Sequence, residues 1–199
     1  MLFGKRSPSS IISAFVFFMM IFYSSPVTDA QSVNAGIKLE ALNYFYKNPV
    51  NGYSNESLMI LPLSAYFKTA VNFSGTYEVE LKAGIQLDEN FSGYEGALVM
   101  KYNVGKGFYP LITYMAHFNG GDSRNLNGTY DTKFNFLGAG IEAKATKVFG
   151  IDLIYYFPIG DNKLTYSRKF TAEGSRYSLS TTNITSLIKL GFIFNITII

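Results

Sequence analysis

Thr76 to Asp88, TYEVELKAGIQLD, is the stretch that most restricts what this chain can become. Tyr77, Val79, Leu81, Ala83, Ile85 and Leu87 are apolar, and Thr76, Glu78, Glu80, Lys82, Gly84, Gln86 and Asp88 between them are polar, charged or glycine. A period of two sends alternate side chains to opposite faces of a strand, so one face is continuously apolar and the other carries ionisable groups. Much of the chain repeats the pattern. Only 16% of the residues are charged, against roughly 25% in ordinary soluble domains, so a wide solvated surface does not account for the apolar material.

The first thirty residues read as an export signal. Lys5 and Arg6 precede the apolar run Ile11 to Tyr23, and Ser24, Ser25, Pro26 and Val27-Thr28-Asp29-Ala30 follow with small residues at the cleavage point. A run of 13 residues falls short of the roughly 20 that a spanning helix requires. The expected division is therefore a signal peptide over 1–30, cut after Ala30, and a barrel domain over 31–199. The net charge of +3 is small and much of it sits in the leader, so nucleic acid is not an expected partner. The absence of cysteine fits a periplasmic or outer-membrane destination with no disulfide framework.

Eight strands are expected. The first runs from about Val33 to Phe45, the second from Leu58 to Phe67, and the third is the opening stretch. The fourth covers Gly96 to Val104, the fifth Phe108 to Phe118 and the sixth Phe134 to Ala145. The seventh carries Phe149, Ile151, Leu153, Tyr155 and Phe157 on one face, and the eighth closes the chain with Ile188, Leu190, Phe192, Phe194, Ile196 and Ile198. Pro62 cannot donate to a ladder and marks a bulge or non-bonding point in the second strand. Lys47 to Gly52 and Gly105-Lys106-Gly107 supply turn chemistry. Connections are long after strands one, five and seven, moderate after three, and short after two, four and six. Gly160 to Asn183 is the longest and has room for strand extensions. That asymmetry belongs to an all-β, eight-stranded antiparallel up-and-down transmembrane barrel, with short turns on one side and longer loops on the other.

The alternation assigns Glu40, Glu78, Glu80, Glu142 and Asp152 to the interior together with Lys38, Lys82, Lys101, Lys144 and Lys189. Charges enclosed in a narrow barrel are costly unless paired, and this balanced set permits pairing. Eight strands leave a lumen just wide enough to be filled by side chains, so an open pore is not expected. Gly36, Gly84, Gly138, Gly140 and Gly191 share the inner face and relieve crowding there. Aromatic belts are expected near strand ends, at Tyr44, Phe45, Tyr46, Phe67, Phe108, Tyr109, Phe118, Phe149 and Phe157.

With its leader, dyad strands, loop asymmetry and final strand LIKLGFIFNITII, the chain resembles the small outer-membrane β-barrel proteins. These comprise the OmpA/OmpX-like eight-stranded group and the porin-family barrel domains of Gram-negative bacteria. The resemblance implies outer-membrane lipids and lipopolysaccharide as surroundings and the barrel-assembly machinery as a partner. No cofactor, no metal and no catalytic residue is expected. One departure is plain: many such barrels end in a lipid-facing aromatic, whereas this chain ends in Ile199.

Other chemistry is weakly encoded. His117, the single histidine, lacks a serine two residues on, with Ser123 the nearest hydroxyl nucleophile, and is read as a rim residue at the outer end of strand five. Gly138-Ala139-Gly140 begins a dinucleotide-like fingerprint, but Lys144 to Phe149 leave no room for the helix it needs. The N-x-Ser/Thr triplets at Asn55, Asn72, Asn90, Asn127, Asn183 and Asn195 are what a chain rich in these residues generates by chance. Lys163, Arg168, Lys169 and Arg176 make the last loop a candidate surface-binding element toward an anionic partner. The expected function is a structural or loop-mediated surface protein without catalysis; a narrow channel or ligand-binding barrel and a secreted lipocalin-like binder are the alternatives.

Overall fold

The computed structural model describes residues 32–47, 54–57, 63–73, 75–88, 91–120, 127–130, 132–170 and 177–198. The leader therefore lies outside the described residues, as do Pro62, Arg176 and Ile199. Eleven strands form one antiparallel sheet. Eight of them build the wall: β1 (Val33–Lys47), β3 (Leu63–Phe73), β4 (Tyr77–Leu87), β5 (Gly93–Tyr102), β6 (Phe108–Asn119), β8 (Thr132–Lys144), β9 (Phe149–Ile159) and β11 (Tyr177–Thr197). Three short strands, β2 (Ser54–Ser57), β7 (Asn127–Thr129) and β10 (Lys163–Phe170), belong to the long connections.

The sheet closes because β1 pairs with β11 from Asn34↔Thr197 to Lys47↔Asn183, with a bulge at Phe45/Tyr46. Closure removes the free edges that a sheet could not leave unpaired in hydrocarbon. Following hydrogen-bond partners from Asn34 through Ala70, Glu80, Val99, Thr113, Gly138, Tyr156 and Leu187 returns to β1 at Tyr44, ten residues further along. That stagger tilts the strands by roughly 40° and fixes a narrow bore.

Each wall strand sorts its side chains by alternation. In β4 the pattern exposes Tyr77, Leu81, Ala83, Ile85 and Leu87 and buries Glu78, Glu80, Lys82 and Gln86. In β9 it exposes Ile151, Leu153, Tyr155 and Phe157 and buries Asp152, Ile154 and Tyr156. The outer wall is thus predominantly apolar, interrupted by Thr69 of β3 and, toward the long-loop end, by Lys133 and Asn135 of β8, with Phe67 prominent at 77% exposure.

The short-turn end is built from tight connections. Gly105, Lys106 and Gly107 all take positive φ (94°, 53° and 79°), which glycine at the flanking positions accepts without steric cost. Asn103 accepts the Gly105 N–H at 2.8 Å through Oδ1 and donates through Nδ2 to the Gly75 carbonyl at 3.0 Å, tying two neighbouring turns together. Thr146 Oγ1 accepts the N–H of Phe149 at 2.9 Å in the third turn. At the opposite end β11 rises beyond the wall and pairs with β10, which pairs with β7, while β2 pairs with the end of β1.

Two boundaries that bear on the interior differ from the sequence reading. β3 is described from Leu63, Pro62 lying outside the described residues, and it runs on to Phe73, beyond the expected end at Phe67, so Phe67 sits mid-wall instead of in a belt. β5 begins at Gly93, so Tyr94 and Glu95 are ladder residues although the glycines around them read as loop. The last connection becomes the β10/β11 hairpin, as the room allowed it suggested.

Candidate functional site

The interior is the chemically distinctive region, and it has two parts. The first is ionic. Glu78 and Glu80 (β4), Glu142 (β8), Lys101 (β5), Lys68 (β3) and Lys144 (β8) form one group. Lys101 Nζ lies 2.8 Å from Glu78, 2.6 Å from Glu80 and 2.6 Å from Glu142; Lys68 reaches Glu80 at 2.7 Å and Lys144 reaches Glu78 at 2.6 Å. A second group links Asp152 to Lys38, Lys38 to Glu40 at 2.7 Å, and Glu40 to both Lys82 and Lys189 (3.3 Å to the latter). Lys189 continues to Glu95 at 2.6 Å, and Glu95 to His117 Nδ1 at 2.9 Å. Tyr66 donates its hydroxyl to Glu95, accepts from Lys189 at 2.7 Å, and lies with its ring 4.3 Å from Lys82 Nζ.

Each group sets three ammonium groups against three carboxylates, with His117 added to the second. All of these side chains are buried except Lys144, which is half-buried over the Tyr109 ring at 4.2 Å. A buried ion is tolerated only when its partners replace the water it loses, and the strand register supplies those partners from facing walls. Oxygens of Glu78, Glu80 and Glu142 lie within 4.8 Å of one another, a spacing that could hold a cation. The Lys101 ammonium already stands among them as that cation.

The second part is apolar. Leu42, Val99, Leu111, Met115, Phe134, Phe136, Ile154, Tyr156, Leu164, Ile184 and Leu187 form a buried cluster with Phe91 from the β4–β5 connection. Phe91 stacks on the His117 ring (centroids 3.7 Å apart, planes 12° apart) and meets Phe134 and Phe136 at 5.8 and 6.1 Å. Leu164 of β10 and Ile184 of β11 reach the cluster from the long-loop side, so the loops contribute to a stopper in the bore. Gly138 makes room for it: a methyl group there would lie 2.7 Å from the Tyr156 ring. A Cβ on Gly191 would likewise run into the Lys38–Asp152 pair.

The ten charged residues that alternation assigns inward all lie in this interior, Lys144 at its edge. Alternation applied with the wrong strand limits passed over Lys68, one residue beyond the expected end of strand two, and Glu95, one residue before the expected start of strand four. His117 requires a correction: it is fully buried, not at the rim, because it shares a face with Leu111, Thr113 and Met115 in β6. The apolar cluster had a legible trace in the unsorted inner face of that strand. Of the basic loop residues, Lys163 is exposed, Arg168 and Lys169 pair with Leu179 and Ser178 in the β10/β11 hairpin, and Arg176 is outside the described residues.

No protein-family model and no curated protein matches the chain. Among solved structures it is similar to the N-terminal β-barrel domain of Pseudomonas aeruginosa OprF, at 15% identity and TM-score 0.42 over 81% of this chain and 97% of that one. It is similar also to the attachment invasion locus protein Ail of Yersinia pestis, solved with the heparin analogue sucrose octasulfate, at 12% identity and TM-score 0.40 over 82% and 99%. Neisserial surface protein A gives 10% identity and TM-score 0.40 over 83% and 99%. The closed eight-stranded architecture is established by the strand pairing of this chain itself.

Proposed function

We propose that the chain is an outer-membrane β-barrel protein without catalytic chemistry, acting structurally or through its long loops. The observation that carries this reading is the inverted distribution of side chains: paired charges inside and predominantly apolar side chains outside. Strands of about ten residues, rising roughly 3.3 Å each at this tilt, climb on the order of 25 Å, the height of the apolar band of such barrels. A lipocalin-like binder needs the opposite arrangement, with an apolar cavity and a polar exterior. A channel needs a bore, and here the bore is occupied by ion pairs at one level and aromatic rings at another.

Delivery by the 1–30 signal and insertion by the barrel-assembly machinery follow from the same reading. The long loops then face outward, and Lys163, Arg168, Lys169 and Arg176 carry charge suited to lipopolysaccharide or another anionic surface. Fractionation with heat-modifiable gel mobility tests the proposal. The expected result is an outer-membrane band whose mobility changes only after boiling in SDS; a mature chain that stays in the aqueous phase without detergent would overturn it. In planar bilayers, the filled bore is expected to give no steady conductance.

A further inference from the structure

We propose that His117 is a proton-controlled latch that holds together the segments at Phe91–Ser92, Asn119–Gly120 and Tyr130. Its two ring nitrogens face two oxygen acceptors: Nδ1 is 2.9 Å from Glu95 Oε1 and Nε2 is 3.3 Å from Asn119 Oδ1. The Asn119 amide is oriented by its own Nδ2, which donates to the Tyr130 carbonyl at 2.9 Å, so the oxygen is the atom turned toward the ring. Only the doubly protonated imidazole donates to both acceptors; a neutral ring leaves one of its lone pairs against an oxygen.

The position of this ring gives its protonation a reach beyond the pair. Below it, Glu95 of β5 connects to Lys189 of β11 and Tyr66 of β3, and through Lys189 to Glu40 of β1 and Lys82 of β4. The ring also meets Phe134 of β8 and Phe91 of the β4–β5 connection. Above it, three loop segments converge. Phe91 lies flat on the ring, Gly120 N–H donates to the Ser92 carbonyl at 2.8 Å, and Tyr130 N–H donates to the Leu164 carbonyl of β10 at 2.9 Å. The Tyr130 ring also rests on Tyr166 of β10, with centroids 5.2 Å apart.

Asn119, immediately before Gly120, and Tyr130 thus tie the histidine to the β4–β5, β6–β8 and β10 segments at once. Loss of the proton turns the Nε2–Asn119 contact from attraction to repulsion, removes the positive charge stacked on Phe91, and loosens these ties together. Closure is present while both ring nitrogens of His117 carry protons and is lost when one proton leaves. The inference goes beyond the proposed function and needs no assumption about what the loops meet.

The chain contains no tryptophan, so Phe91→Trp places a single fluorophore on the latch. With the protein in phospholipid vesicles between pH 5 and 9, its emission is expected to be blue-shifted and quenched at low pH, and to rise at least twofold and shift red as the latch opens. The response is expected to vanish in Phe91→Trp/His117→Gln. Amide hydrogen exchange on the unsubstituted chain gives a second reading: protection of Gly120 and Tyr130, corrected for intrinsic rates, is expected to fall about tenfold with rising pH, as one hydrogen bond is worth, and to stay flat in His117→Gln. A heat-modifiable band in every variant separates failure of the latch from failure of the barrel. Equal pH dependence with and without His117, or none in either, would overturn the proposal.

Discussion

The ionic groups and the aromatic stopper fill one bore by opposite means. Each ionic group depends on register, because Lys101 of β5 meets Glu78 of β4 and Glu142 of β8 only if the strands are paired residue for residue as they are. The stopper depends on volume: Phe91, Phe134, Phe136 and Met115 fill space without directional partners. A slip of one residue would send every lysine of a strand into lipid. The contrast teaches that the ionic part selects which barrel forms, and the apolar part decides how tightly its mouth is closed.

The largest predicted effect comes from breaking the ionic part at its hub. Lys101→Met leaves three carboxylates facing one another and is expected to destabilise the barrel by about 3–5 kcal/mol, read as a lowered urea midpoint for unfolding in vesicles followed by gel mobility. A loss under about 1 kcal/mol would mean that water reaches the group. Phe91→Ala should cost about 3 kcal/mol if the ring is core, with increased hydrogen exchange confined to the long-loop side. Unfolding spread evenly over all strands would erase the distinction between the two parts.

Overfilling sharpens the comparison further. Gly138→Ala drives a methyl into the Tyr156 ring and the Thr113 methyl and is expected to cost about 1–3 kcal/mol, with Gly138→Ala/Thr113→Ser/Tyr156→Leu recovering part of it. Neutralising Lys163, Arg168, Lys169 and Arg176 to glutamine should leave stability within about 0.5 kcal/mol per residue while weakening adsorption to anionic surfaces. Unchanged adsorption would remove the hairpin from the functional account.

What could be read from the sequence follows the same division. Alternation is visible wherever a strand separates apolar from ionisable residues, as in Tyr77–Leu87, because each residue then declares its own environment. β6 does not separate its faces: Leu111 and Met115 inside resemble Ile112 and Tyr114 outside, so the strand leaves only a trace of the stopper and hides the burial of His117. Strand limits failed where local signals competed with pairing. The glycines beside Tyr94 and Glu95 imitate a loop, and Lys68 and Thr69 interrupt the apolar signal after Phe67 although the ladder runs on to Phe73. Glu95 and Lys68 were missed for those reasons, and with Glu95 the link that joins His117 to its group.

The central claim is that this barrel is apolar outside and ionic or packed inside, and β9 allows it to be tested within one strand. Leu153→Trp and Tyr156→Trp place single tryptophans three residues apart on opposite faces of a chain that otherwise has none. In vesicles containing phospholipids brominated along their acyl chains, the tryptophan at 153 is predicted to be strongly quenched and the one at 156 to be unaffected. Quenching at 156 with none at 153 would contradict the account.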